Sequence, residues 1–128
     1  MIPVGAKAES RLTVAQEDTA LAWGSGSLPV LATPRMILMV EATAVKCLAP
    51  FMEEGKTTVG TLVDVAHVSA SPVGSEVVCS VEVTEVDRAR IRFNVSVRDA
   101  FGDVGTGVHE RFVVSADKFM AKAESKLS

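Results

Sequence analysis

Two periods divide the chain. From Thr33 to Pro50 apolar positions crowd together: Met36 to Val40 run straight into Glu41, and Ala42, Ala44, Val45 and Leu48 follow. Density on nearly every side predicts a buried helix. Thr33 reads as its N-cap and Pro34 as its first helical residue, while Pro50 and Gly55 bound its end. That leaves about four turns, roughly 25 Å. Elsewhere the period is two. Ala6, Ala8, Ser10, Leu12 and Val14 share one side of a first strand, with Lys7, Glu9 and Arg11 opposite. Thr57 to Ala70 alternates, with Val59, Thr61, Val63, Val65 and His67 on one face and Gly60, Leu62, Asp64, Ala66 and Val68 on the other. After a turn at Ser71–Gly74, Glu76 to Val86 is a Val-rich strand. Arg90 to Arg98 places Ile91, Phe93, Val95 and Val97 inside and Arg90, Arg92, Asn94, Ser96 and Arg98 outside. Asp99–Asp103 turns the chain into a last strand, Val104–Val114, and a short helix is expected over Asp117–Lys126, capped by Ser115 or Asp117. Residues 15–32 read as irregular, with a flexible stretch at Trp23–Ser27.

The order is strand, long helix, then four strands with short links. Such strands pair antiparallel. The expected architecture is α+β: a long central helix wrapped by a curved antiparallel sheet of about five strands. One sheet cannot cover a helix all round, so the pattern predicts a homodimer. No repeat or boundary interrupts residues 1–128, which read as one domain.

Composition narrows the classes. The 128 residues are 48% hydrophobic and 23% charged, the balance of a folded domain. A net charge of −3 argues against nucleic acid as a partner. No apolar run reaches membrane-spanning length, and the first residues lack a signal-peptide pattern. A cytoplasmic protein is therefore expected, with Cys47 and Cys79 as free thiols and a single disulfide as the alternative.

Glu41 is the leading candidate for chemistry, because a carboxylate among Met and Leu is costly to keep charged without a partner or a task. The bland alternative pairs it with Arg35 or Lys46, six and five residues away, neither a favoured helical spacing. His67 alone reads as a structural histidine on an apolar face. Thr33 serves equally as a helix cap or a site hydroxyl. Gly60 inside a strand marks either a bulge or a close approach. Arg111 reads first as an ion-pair partner, and Arg88, Arg90, Arg92 and Arg98 as a solvated face rather than a phosphate site. His67 and His109 stand isolated, so no metal site is expected. Neither a phosphate loop nor a Gly-x-Ser-x-Gly elbow is present.

Specific runs add to this. Ala32-Thr33, Met39-Val40-Glu41-Ala42, Thr58-Val59-Gly60-Thr61, Ala66 to Gly74 and Gly105-Thr106-Gly107-Val108-His109-Glu110-Arg111 occur in order, with Glu41 eight residues after Thr33 and His67 twenty-six beyond Glu41. Over most of residues 30–122 the chain resembles the fluoroacetyl-CoA thioesterase type of hot-dog protein. The resemblance implies a hot-dog fold and hydrolysis of a small acyl-CoA to free acid and CoA, at a site on a dimer interface. It implies no cofactor, coenzyme A being part of the substrate. Thr33, Glu41 and His67 would form the catalytic set, with Gly60 against the acyl group and Arg111 helping to form the site. Glu41 would act as nucleophile or as general base, and His67 as acid/base. One departure stands out: Gly24–Leu31, just before Thr33, contains no Phe, where the fluoroacetyl-selective family member carries phenylalanines. A broader or different short acyl group is therefore expected. A non-catalytic acyl-CoA binding protein and, less so, an enoyl-CoA hydratase are the alternatives on this fold.

Overall fold

The computed structural model describes residues 1–128. Strand β1 (Lys7–Thr13) leads through a 3-10 turn (Gln16–Asp18) and a one-turn helix α1 (Ala20–Trp23) to the long helix α2 (Thr33–Leu48). Four strands follow: β2 (Lys56–His67), β3 (Glu76–Asp87), β4 (Arg90–Asp99) and β5 (Gly102–Ser115), then helix α3 (Ala116–Glu124). The five strands form one antiparallel sheet in the order β1-β3-β4-β5-β2. Architecture and strand number agree with the pattern reading, as does the Ala6–Val14 face turned inward.

Helix α2 ends where proline requires. Pro50 has no N–H to continue the ladder, so the chain tightens into a 3-10 turn at Ala49–Phe51. Gly55, at φ +81°, then reverses it into β2. The core lies between one face of α2 and the inner face of the sheet. Met36, Met39, Val40, Ala44, Cys47 and Leu48 meet Val77, Cys79, Val81 and Val83 of β3 and Ile91, Phe93, Val95 and Val97 of β4. Both cysteines are free and buried.

One sheet leaves a side of helix α2 open, as expected: Leu38 and Val45 are each 47% exposed there. Two expectations change. The irregular segment holds structure, because Thr19 caps α1 by accepting the Ala22 N–H at 3.2 Å and Gly24 closes it at φ +73°. Finally, β2 does not alternate throughout. Gly60 pairs with Arg111 and Leu62 with Glu110, leaving Thr61 as an extra, bulged residue. Downstream of the bulge the facing inverts, so His67 and Gly60 share the face toward α2 instead of opposing ones.

Candidate active site

At the amino end of α2 the Thr33 hydroxyl lies 2.7 Å from His67 Nδ1 at the end of β2. Thr33 is not the cap. Ala32 occupies that position, Thr33 is the first helical residue, and its side chain makes no capping bond. The hydroxyl is thus free for the imidazole. Burial pushes His67 below the ordinary histidine range, with the Ser69 backbone opposing. Its Nε2 is enclosed and has no partner. A cleft of about 310 Å³ opens beside this pair, walled by Val30, Leu31, Val68, Ser69 and Ala70.

Two turns further along α2, Glu41 meets a second group of side chains. Its Oε2 accepts from Arg111 Nη1 at 3.3 Å. Arg111 is anchored elsewhere too, donating from Nε to Thr58 Oγ1 at 2.9 Å and from Nη2 to the Thr58 carbonyl at 3.1 Å. His109 lies behind, 3.3 Å from Arg111 Nη1 through Nε2 and 2.7 Å from the Leu62 carbonyl through Nδ1. Burial lowers the pKa of both Arg111 and His109; Glu41 opposes the shift in Arg111, and the Arg111 charge deepens that in His109. Gly60 completes the arrangement. A Cβ there would overlap Glu41 Oε2 and sit 3.3 Å from Arg111 Nη1, so the carboxylate occupies space that only glycine leaves open.

One further reading needs correction here. Glu41 is not buried: its side chain is 40% exposed while that of Arg111 is 7% exposed. As the helical spacing indicated, its partner is neither Arg35, which pairs with Asp18 at 2.9 Å, nor Lys46, which donates to the Glu9 carbonyl at 2.7 Å. Arg90 and Arg92 are held on the outer face by Glu110, at 3.0 and 2.5 Å.

The five candidates therefore fall into two clusters within one chain: Thr33 with His67, and Glu41 with Arg111 and Gly60. Eight residues of helix separate Thr33 from Glu41, a rise of about 12 Å. Gly60 and His67 stand roughly 20 Å apart along β2. Sequence reasoning assigned no role to Thr58 or His109. The available signal was period two on β5, which places His109 and Arg111 on one face of the Gly-Thr-Gly-Val-His-Glu-Arg run.

With this geometry in view, the family described as fluoroacetyl-CoA-specific thioesterase, FlK, matches residues 14–117. The chain belongs to that family. The fluoroacetyl-CoA thioesterase of Streptantibioticus cattleyicolor is 36% identical over 97 residues, covering 76% of this chain and 70% of the relative. A solved structure of the fluoroacetyl-CoA thioesterase FlK superposes with a TM-score of 0.91 at 30% identity, over 98% of each chain. A hot-dog-like protein from Thermanaerovibrio acidaminovorans gives 0.91 at 25% identity, covering 99% of this chain and 94% of its own. The fold of this FlK-family chain is the hot-dog fold, a five-stranded curved sheet around one long helix.

Proposed function

We propose that this acyl-CoA thioester hydrolase acts on a small or short-chain acyl group, and that two chains jointly build each site. The observation that carries the reading is the Glu41 carboxylate. It projects from the open face of the central helix, held by a buried arginine and accommodated by a glycine.

Thioester hydrolysis converts the thioester and water into a carboxylic acid and a thiol. It needs an oxygen nucleophile at the carbonyl, donors for the developing oxyanion, and a proton for the departing sulfur. Glu41 supplies the first, by attacking the carbonyl or by taking the proton of an attacking water. The Thr33–His67 pair supplies the proton relay, and the positive end of the α2 dipole lies beside it. Burial lowers the His67 pKa, which favours a neutral ring near pH 7.

The separation of the two clusters supports a homodimer. Strand β2 is an edge, and a twelve-residue edge with Leu62 and Val63 about 40% exposed invites a second strand. Antiparallel pairing of two β2 strands runs the Gly60 end of one beside the His67 end of the other. Glu41 would then face the Thr33–His67 pair of the partner, and Leu38 and Val45 would be covered. We place the protein in the cytoplasm as a single hot-dog domain whose two thiols stay reduced. The Gly/Ser-rich segment before Thr33, without aromatic bulk, fits acyl groups other than fluoroacetyl.

A panel of acyl-CoAs assayed for free thiol tests the activity. Glu41→Gln is expected to lower turnover by about two orders of magnitude or more while assembly persists. Wild-type turnover in that variant would remove Glu41 from the mechanism.

A further inference from the structure

We propose that His109 is a positioning residue for the hydrolysis, holding Arg111 where its guanidinium meets Glu41. The inference rests on the assignment of Glu41 to the reaction. Hydrogen-bond geometry fixes the ring's tautomer. Nδ1 lies 2.7 Å from the Leu62 carbonyl, which can only accept, so Nδ1 carries the hydrogen. Nε2 lies 3.3 Å from Arg111 Nη1, which can only donate, so Nε2 presents its lone pair. A neutral imidazole satisfies both contacts at once, whereas an imidazolium would aim an N–H at a cation.

The ring cannot readily leave that pose. His109 has no solvent exposure, and it stacks on Phe93 of the adjacent strand at 5.9 Å between centroids and 22° between planes. The carbonyl that orients it belongs to Leu62, the residue after the bulged Thr61. The irregularity that turns Gly60 and His67 to one face thus also anchors the ring.

Arg111 depends on this contact. Nη1 has two hydrogens, one directed to Glu41 Oε2 and the other to His109 Nε2, while Thr58 receives Nε and one Nη2 hydrogen. Without an acceptor at the His109 position a buried Nη1 hydrogen loses its partner, and the planar group can tilt to share its remaining donors differently. The carboxylate at its tip would tilt with it.

Two substitutions separate the ring's two bonds. In His109→Gln the side-chain oxygen reaches the region of Nε2 and can still accept from Arg111. In His109→Asn the amide nitrogen falls near Nδ1, keeping the bond to Leu62 but offering Arg111 nothing. Positioning predicts kcat within about threefold of wild type for His109→Gln, and a fall of at least about tenfold at similar KM for His109→Asn. His109→Phe, which keeps the stack on Phe93 and neither bond, should follow His109→Asn. Equal kcat for Asn and Gln variants, or losses that track melting temperature alone, would overturn the proposal.

A readout independent of turnover is the side-chain nitrogen NMR of wild-type protein at pH 7. The expected result is a neutral ring with hydrogen on Nδ1; a charged ring or hydrogen on Nε2 overturns it. Absence of thiol release by wild-type protein across the acyl-CoA panel would instead sink the hydrolase reading and leave the tautomer result standing.

Discussion

Gly60→Ala offers a sharp test of the site, because it should separate activity from stability. A Cβ at position 60 would overlap Glu41 Oε2. The carboxylate ends a flexible, 40% exposed side chain, so it can withdraw. Restoring ordinary contact requires a retreat of about 1 Å, and a misplacement of that size at a reacting group costs roughly 10²-fold in rate. That corresponds to about 2.7 kcal/mol of transition-state stabilisation. Stability should hardly change. Alanine is favoured over glycine in a strand by about 0.5–1 kcal/mol. The lost contact is a partly solvated ion pair worth at most about 1 kcal/mol. Arg111 keeps Thr58 and His109. The assay is thiol release beside a thermal melt: turnover should fall about a hundredfold while the midpoint moves less than about 5 °C. Gly60→Ala should also add little to the loss already caused by Glu41→Gln, since both act through one carboxylate. Full turnover in Gly60→Ala, or additive losses in the double variant, would refute the reasoning.

Thr33→Val removes the bond to His67 but no helix cap, so thiol release should drop at least about tenfold while the melt stays within a few degrees; a fall of stability by the roughly 1 kcal/mol typical of a lost cap would restore Thr33 to a capping role. Gly105→Ala brings a Cβ within 2.7 Å of Met36 Sδ, a fully buried side chain, and should destabilise by about 1–3 kcal/mol in denaturant titrations. Burial holds His67 and His109 below their ordinary value of 6.5, so beneath that pH the unfolded chain binds more protons than the folded one. The stability they contribute is complete above 6.5 and falls as the medium is acidified through it; melts across this range should show the decline, and His109→Phe should make it shallower.

Much of the fold was legible because burial follows period. The strand faces of Ala6–Val14 and Arg90–Arg98, and the long helix from Thr33, were written in spacings of two and of three to four. The bulge was legible only as one of two meanings of Gly60. Thr61 is an ordinary strand residue, and that it is the extra one emerges only when Gly60 and Arg111 are seen in register across β2 and β5. Capping misled for a related reason: Thr-Pro is a sound start signal, but Ala32 takes the extended conformation at the boundary and leaves Thr33 inside. Burial of Glu41 was overestimated because hydrophobic density along a helix does not say which neighbours cover it. Arg111 was foreseen as an ion-pair partner, yet its tie to His109 arises only from folding β5 against β2 and could not be read from two isolated histidines.

The roughly 12 Å of helix between hydroxyl and carboxylate has a kinetic consequence once the site is shared. Each chain is then half an enzyme, and specific activity becomes a function of abundance. Below the dimer dissociation constant, hydrolysis should climb with the square of the amount of protein; above it, linearly. A cell could silence the reaction by dilution alone, with every copy folded and none modified.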